Sequence, residues 1–349
     1  MKNILPFTLL LLIFINLNLN AQTYVPDNNF EQALIDLGYD TVLDDYVDTS
    51  SINSVTQLNV SNKNIQDLTG IEDFNALTIL NCANNPNLNA LNIANNTALL
   101  QLHTSYTSIS SLDISNLILL QQLSCNGNSN LTNLDISNNT DLGILFINET
   151  NISAIDVSTN TALNYLDCNT TNLTSLNLST NIALTRLYCQ NTNIGSLDLS
   201  ANTSLDQLYC ADNPNLSNLN IKNGNNTNVT LFNATNNPNL TCIEVDDEDY
   251  SNTNWPNKDI GAMYSNDCTN LGIVDVERFS LEIYPNPVNN ILFIKSKNSI
   301  DRIEILNFQG KKVTVINSDK INMSSLSSGI YILKIKSGNT ETFKKIIKK

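Results

Sequence analysis

The feature that most constrains the fold of this chain is an internal repeat. Pairs of apolar residues, separated by one residue, recur at steps of 10 or 11 positions. The pairs begin at Leu80, Leu91, Leu102, Leu112, Leu123, Leu134, Leu145, Ile155, Leu166, Leu176, Leu187, Leu197, Leu208 and Leu219. Each pair has the pattern of a short strand whose two apolar side chains point inward while the middle residue faces out. A period this regular predicts a solenoid in which two pairs make one coil.

The two pairs of each coil differ in composition. One has the form "LxC", as in "LYC", and the other the form "LDL". In five coils the LxC pair places a cysteine at its second inward position, namely Cys82, Cys125, Cys168, Cys189 and Cys210. Thr104, Ile147 and Ala234 take the same position in other coils, so we expect each cysteine to act as a small buried hydrophobe. A disulfide between neighbouring coils, which lie about 4.8 Å apart, is the alternative.

Asparagine or threonine follows the second inward residue of most pairs by three positions. These residues are Asn85, Thr107, Asn128, Thr150, Thr171, Thr192 and Asn213 in the LxC half, and Asn96, Asn139, Asn160, Asn181 and Asn202 in the LDL half. A side-chain amide can satisfy backbone groups that a turning chain leaves unpaired inside the coil. We therefore expect these asparagines to be structural.

The segment before the repeats has the pattern of a helix. In "VPDNNFEQALIDLGYD", Phe30, Leu34 and Leu37 fall on one helical face and Asp27 is suited to be the N-cap. A solenoid needs its exposed first coil covered, so we expect a helical N-terminal cap here.

The segment after the repeats holds two further cysteines. Cys242 and Cys268 flank Trp255, the one tryptophan of the chain, at the point where the repeat stops. Since the last coil of a solenoid must also be covered, we predict a C-terminal cap closed around Trp255 by a Cys242–Cys268 disulfide.

The repeat has the leucine-rich-repeat form L-x-x-L-x-L-x-x-N-x-L. Residues 24–270 resemble the 21-residue nested leucine-rich repeats of secreted bacterial proteins, and the opening "YVPDNNFEQALIDLGYD" is similar to the usual start of that family. The resemblance implies a mainly β solenoid with a helical N-terminal cap and a cysteine-bearing C-terminal cap.

The first residues have the pattern of a signal peptide. Lys2 precedes an apolar run from Ile4 to Ile15, and Ala21 follows as a small residue at a plausible cleavage point. A run of about 12 residues is too short for the ~20 that span a membrane, so we predict export by residues 1–22. A buried helix is the alternative. We expect no transmembrane segment in the mature chain.

From residue 279 the repeat gives way to short alternating runs. "NILFIKS", "RIEILNFQGKKVTVI" and "GIYILKIKSGNTETFKKIIKK" are broken by turn residues, which predicts a small antiparallel β-sandwich. The segment resembles the C-terminal sorting domain of type IX secretion cargo in Gram-negative Bacteroidota. The resemblance rests mainly on Tyr284, Pro285, Asn286, Pro287, Gly329, Tyr331, Lys344, Lys345, Lys348 and Lys349. It implies recognition of residues 279–349 by the type IX secretion machinery. An ordinary adhesive β domain is the alternative.

The charge of the chain is unevenly distributed. The formal net charge is −15, yet residues 276–349 hold 13 Lys or Arg and 6 Asp or Glu, a balance of +7 that leaves −22 elsewhere. Such an acidic body repels nucleic acid phosphates and anionic membranes, so we expect neither as a partner.

The residue types that catalysis needs are scarce. The chain has one histidine, His103, so a two-histidine metal motif cannot form, and a Ser/His/Asp triad would have to use this outward-facing residue without a nucleophile motif. We expect a protein that is not an enzyme and has no cofactor and no metal site.

Two rows of outward residues are candidate surfaces. The LDL row is Asn92, Asp113, Asp135, Asp156, Asn177, Asp198 and Asn220. It could attract Ca²⁺, but we favour hydrogen bonds to nearby backbone and serine hydroxyls. On the LxC side we predict an exposed aromatic patch made of Phe146, Tyr165, Arg186, Tyr188 and Tyr209. Aromatic residues beside arginine are enriched in binding hot spots and suit sugar stacking, although they are also ordinary strand formers.

These features predict a secreted protein with six segments. They are the signal peptide (1–22), an N-terminal cap with an amphipathic helix (23–57), the leucine-rich-repeat solenoid (58–245), a C-terminal cap (246–270), a linker (271–278) and the sorting domain (279–349). The predicted function is recognition of a protein or glycan partner at the outer-membrane surface of a Gram-negative bacterium, or after release from it. The alternative is a structural surface or matrix component in which the solenoid is a spacer.

Overall fold

The computed structural model describes residues 21–268, 281–296, 299–316, 318–337 and 340–349. The predicted signal peptide therefore lies outside the described residues up to position 20, and the predicted linker over 271–278 lies outside them entirely. The chain divides into two compact units, residues 1–268 and 269–349, and each has its own apolar core.

The described part of the first unit is built from short strands and a few short helices. The strands are β1 (Gln22–Tyr24), β2 (Tyr46–Asp48), β3 (Gln57–Asn59), β4 (Ile79–Asn81), β5 (Gln101–His103), β6 (Gln122–Ser124), β7 (Ile144–Phe146), β8 (Tyr165–Asp167), β9 (Arg186–Tyr188), β10 (Ser196–Asp198), β11 (Gln207–Tyr209), β12 (Asn218–Asn220), β13 (Leu231–Asn233), β14 (Cys242–Glu244) and β15 (Met263–Ser265). The α-helices are α1 (Asn28–Asp36), α2 (Thr49–Ile52) and α3 (Glu248–Asn254), and 3₁₀ turns span Ile71–Asp73 and Asn226–Asn228.

The LxC strands form a nine-stranded parallel sheet. Its order is β13-β11-β9-β8-β7-β6-β5-β4-β3, and the register sets each inward leucine beside that of the next coil, as in Leu145, Leu166 and Leu187. Those three leucines are fully buried. The unit is a mainly β solenoid that resembles leucine-rich-repeat proteins.

The LDL half differs from its prediction. Among the described residues before Ser196, the LDL pairs form no strands, although they bury their inward side chains except Leu91 and Ile155, which are partly buried. On this side a ladder appears only as β10-β12-β14-β15. Side chains bridge neighbouring coils here instead, for example Thr159 Oγ1 to the Ser137 carbonyl at 3.1 Å and Thr180 Oγ1 to the Ser158 carbonyl at 3.0 Å.

The buried asparagines have the structural role predicted for them. Asn160 Nδ2 donates to the carbonyls of Ile136 and Asn139, and Asn181 Nδ2 donates to those of Val157 and Asn160. Each amide therefore ties a turn of the preceding coil to the interior, and the pattern repeats along the solenoid.

The five ladder cysteines are buried free thiols. The alternative of a disulfide between coils is therefore wrong. Burial raises the pKa of Cys82, Cys125 and Cys210 to about 12, so these thiols are protonated and inert at neutral pH.

The predicted disulfide is confirmed. Cys242 and Cys268 are bonded, with their Cα atoms 5.9 Å apart. Trp255 is 2% exposed and stacks on Phe232 with ring centroids 4.8 Å apart, while the Tyr264 hydroxyl donates to the Trp255 carbonyl at 2.7 Å. The bridge therefore closes a compact aromatic cluster after the last repeats.

Helix α1 begins as the sequence predicts. Asp27 caps it by accepting hydrogen bonds from the backbone N–H groups of Asn29 and Phe30. Phe30 and Leu34 are fully buried, but Leu37 is 46% exposed, contrary to the prediction for the third apolar position. The reason is that the helix ends at Asp36, so Leu37 is already its C-cap.

The described strands of the second unit form two antiparallel sheets. The strands are β16 (Leu281–Tyr284), β17 (Ile291–Ser296), β18 (Arg302–Asn307), β19 (Lys312–Ile316), β20 (Lys320–Asn322), β21 (Gly329–Ser337) and β22 (Thr340–Lys348). The sheets have the orders β16-β17-β20 and β19-β18-β21-β22. Buried residues of both, among them Leu292, Ile303 and Leu333, share one core.

In the described residues of both units, every helix is too short or too polar to cross a bilayer.

Candidate binding face

The predicted aromatic residues lie on the outward face of the nine-stranded sheet. The register of β7, β8, β9 and β11 aligns Phe146, Asp167, Tyr188 and Tyr209 in one row. A second row, two residues earlier on each strand, is Ile144, Tyr165, Arg186 and Gln207. The inward residues between the rows are leucines of the core, so both rows face away from it.

Four aromatic rings from successive coils form a continuous file, which we call the aromatic ladder (Phe146, Tyr165, Tyr188 and Tyr209). The ring centroids of neighbours lie 4.8, 5.3 and 4.9 Å apart, with interplanar angles of 79°, 73° and 75°. These steps equal about one strand spacing, so each coil contributes one ring. Edge-to-face pairs of this kind are worth about 0.5–1.5 kcal/mol beyond the area they bury.

Tyr165 joins the ladder from the neighbouring row. Its ring lies about one coil spacing from the rings of both Phe146 and Tyr188, which are themselves two coils apart. The ring therefore leans into the space that the short side chain of Asp167 leaves open. Burial, together with the nearby Tyr188 and Asp167, raises the pKa of Tyr165 to about 12.

Polar groups fix the edges of the ladder. The Tyr188 hydroxyl donates to Gln207 Oε1 at 2.6 Å. The guanidinium carbon of Arg186 lies 5.6 Å from the ring centroid of Tyr165, within cation–π range. The structure thus brings all five predicted face residues together.

Asp167 belongs to the face although the sequence prediction left it out. It is half-buried, and this burial raises the pKa of its carboxyl group above that of an ordinary aspartate. Repulsion from Glu149 raises the pKa further, by a smaller amount. The repeat predicts that Asp167 lies in the outward row. The repeat does not predict its burial, because that depends on the direction in which the Tyr165 side chain points.

The LDL row uses its polar side chains locally. Asp113 Oδ1 accepts from the backbone N–H of Ser115 at 3.0 Å and from its hydroxyl at 2.7 Å. Asp135 accepts from the Ser137 N–H at 2.9 Å, and other members make the same bond to the residue two positions on. These bonds lower the pKa of Asp113 and Asp135 below the usual aspartate value.

His103 sits on the outward face of β5. Its Nδ1 lies 3.2 Å from Ser124 Oγ, and burial lowers its pKa. Within the described ranges no three His, Cys, Asp or Glu side chains are grouped so as to hold a metal ion.

Asn286, one of the predicted sorting-motif residues, bonds to the last strand. Asn286 accepts from the backbone N–H of Ile347 and donates through Nδ2 to the Lys345 carbonyl, both at 2.9 Å. Val288 adds backbone bonds to Ile347 and Lys349. The Tyr-Pro-Asn-Pro segment is thereby fastened along the outer edge of β22.

Two other motif residues lie on strand β21, beside β22. Gly329 pairs with Lys348 and Tyr331 pairs with Ile346. Lys348 is only 9% exposed, whereas Lys344 and Lys345 are exposed.

Comparison with known proteins identifies the second unit. Residues 282–349 match the family of secretion system C-terminal sorting domains. No curated protein sequence matches the chain.

Several solved structures from Listeria monocytogenes are similar to the chain. The functional domain of InlJ, described as including a cysteine ladder, is 20% identical, with 95% of this chain and 99% of that one covered and a TM-score of 0.37. InlP is 15% identical over 93% and 96% of the two chains, with a TM-score of 0.44. Internalin C2 is 19% identical over 64% and 94%, with a TM-score of 0.43.

The sorting-domain match indicates the secretion route of the protein, because such a domain directs its cargo to the type IX secretion machinery and so to the cell surface or the medium. The chain is a leucine-rich-repeat-like solenoid that ends in a type IX secretion C-terminal sorting domain.

Proposed function

We propose that the solenoid is a recognition module that binds a protein or glycan partner through the aromatic ladder. The observation that carries this proposal is a contrast within the sheet itself. Earlier coils keep the same parallel register and the same buried leucines with polar residues at the outward positions, such as Gln101, His103, Gln122 and Ser124. The fold therefore does not need aromatic rings there, yet four successive later coils have them.

The geometry of the ladder suits binding. Its rings are partly exposed and their positions are fixed by edge-to-face packing and by the Tyr188–Gln207 hydrogen bond. Tyrosine offers a large contact area with few rotatable bonds, and a surface ordered in advance loses less entropy on binding. Arg186 beside the rings adds a residue type that is enriched in hot spots.

A binding screen tests this function. The full chain is applied to glycan and surface-protein arrays beside a variant with Phe146, Tyr188 and Tyr209 changed to alanine. We expect hits that disappear in this variant. The matched control changes Asp113 and Asp135 to asparagine on the LDL row, where the turn bonds survive, and should keep every hit. A wild-type chain that binds nothing and self-associates would instead support the structural spacer.

We infer that Asn286 holds the sorting signal together. Its side chain joins the Tyr-Pro-Asn-Pro segment to Lys345 and Ile347, far apart in sequence, so it positions the terminal lysines on a fixed strand. Asn286→Ala should lower the amount of protein secreted and leave it in the periplasm, while Asn289→Ala, at an exposed neighbouring position, should not. Equal secretion of the two variants would contradict this role.

The finer architecture belongs to the same proposal. We infer that α1 and its flanking strands (residues 23–57) cap the first coil, since Asp27 Oδ2 also accepts from the backbone N–H groups of Gln66 and Asp67. The disulfide-closed segment (246–270) would cap the last coil, leaving 58–245 as the repeat region. The two C-terminal sheets, which share one core, would form a β-sandwich over 279–349. Export would begin with the signal peptide and end at the Gram-negative outer-membrane surface or in the medium.

A further inference from the structure

A carboxylate lies in the middle of the aromatic ladder. The strand register places Asp167 directly between Phe146 and Tyr188, and the Tyr165 ring stands 4.8 and 5.3 Å from the rings of those two residues. One short acidic side chain therefore lies on an outward face between Phe146 and Tyr188, in the same strand as Tyr165.

This carboxylate has no cationic partner in the described part of the chain. Its hydrogen bonds come from Asn169, whose backbone nitrogen and Nδ2 lie 3.2 and 2.5 Å from Oδ1. Arg186 instead places its guanidinium over the Tyr165 ring, and Glu149 repels the carboxylate. Half-burying a charge without a counter-charge is costly, so the arrangement is complementary to a cation supplied from outside.

We propose that Phe146, Tyr165, Asp167 and Tyr188 form a recognition site for the ammonium group of a lysine side chain on a partner protein. Aromatic faces attract a cation within about 6 Å of the ring centroid, and the carboxylate supplies the opposite charge. The proposal rests on the proposed function and names the chemistry of its partner.

Two observations favour lysine on a protein over other ligands. The chain outside residues 276–349 has a balance of −22, which draws basic partners toward the face and speeds their association. A neutral sugar would leave the carboxylate without a counter-charge. A partner guanidinium prefers to stack flat on a ring, and the Tyr165 ring already faces Arg186, whereas an ammonium group is a compact point charge.

The test compares short peptides that differ only in one side chain. Peptides with a single lysine, the same peptides with that lysine acetylated, and versions with arginine are titrated against the full chain, alongside a glycan array. The variants are Asp167→Asn, which keeps Oδ1 as an acceptor for Asn169, and Asp156→Asn on the LDL row. We expect lysine peptides to bind, acetylation to abolish binding, and Asp167→Asn to weaken it about tenfold or more, which corresponds to about 1.4 kcal/mol. Asp156→Asn should have no effect.

The experiment distinguishes failure of the lysine site from failure of the proposed function. If neutral peptides or glycans bind, and binding is lost with Phe146, Tyr188 and Tyr209 changed to alanine but kept in Asp167→Asn, the lysine site is wrong while the proposed function stands. If the wild-type chain binds no peptide, the lysine site is wrong; if it also binds nothing on the glycan and surface-protein arrays, the proposed function is wrong as well. Circular dichroism of each variant confirms that a loss of binding is not a loss of fold.

Discussion

Replacing Asn181 by alanine tests the structural role of the buried asparagines. Its side chain is fully buried, and Nδ2 donates to the Val157 carbonyl at 3.0 Å and the Asn160 carbonyl at 2.8 Å. Alanine removes both donors and puts nothing in their place. The change therefore isolates the link between one coil and the coil before it.

The expected magnitude follows from what each carbonyl retains. The Val157 carbonyl still accepts from the Asn160 N–H, and the Asn160 carbonyl still accepts from the Leu163 N–H, so neither becomes wholly unpaired. Two lost hydrogen bonds at about 0.5–1.5 kcal/mol each give about 1–3 kcal/mol. The void left by the amide adds to this, so the free energy of unfolding should fall by about 2–4 kcal/mol.

Urea unfolding followed by tryptophan fluorescence measures this change. Trp255 is the one tryptophan of the chain and is buried in the solenoid unit, so its signal reports on that unit and not on the sorting domain. Asn172→Ala is the matched control, because Asn172 is exposed and its side chain donates to the exposed Asn151 side chain, at 3.2 Å, while its backbone bond to Ile152 survives the change. It should change stability by less than about 0.5 kcal/mol. Equal losses in the two variants would refute the reasoning.

Three further predictions follow from the same structure. Changing Cys242 and Cys268 to serine should lower the free energy of unfolding by about 2–5 kcal/mol, and thiol labelling of both cysteines in the native oxidised protein would contradict the bridge. Asp167→Asn should raise the melting temperature at neutral pH. Burial raises the folded-state pKa of Asp167, so above that pKa the charged carboxylate destabilises the fold, and asparagine removes this cost. The difference in melting temperature between variant and wild type should shrink as the pH falls through the folded-state pKa. A lower melting temperature at neutral pH would count against this. Deleting residues 279–349 should leave the solenoid folded but trapped in the periplasm, as fractionation would show, and normal surface delivery would oppose the sorting role.

Much of the solenoid could be predicted because each coil repeats the same local chemistry. A leucine at a fixed period meets the leucine of the next coil, so burial of Leu166 or Cys168 follows from spacing alone. The structural role of the turn asparagines could be predicted for the same reason. The disulfide was predictable because Cys242 and Cys268 depart from the repeat just where it ends.

What could not be predicted depends on three-dimensional detail within one coil. The LDL pairs before Ser196 form no strands, and the spacing of apolar residues does not encode which half of a coil will pair through its backbone. The exposure of Leu37 depends on where α1 ends. The lean of Tyr165 toward Asp167 depends on the size of its neighbours, and the bonds of Asn286 to β22 join residues about sixty positions apart.

The measurement that most directly tests recognition through the aromatic ladder is oxidative footprinting of the full chain with and without a partner identified by the array screen. Tyr24 and Tyr46, which are 49% and 44% exposed and lie on β1 and β2, are the internal controls. We predict that the partner protects Tyr165, Tyr188 and Tyr209 from oxidation and leaves the two control tyrosines unchanged. Protection confined to other surfaces, with the ladder tyrosines still oxidised at the free rate, would contradict the account.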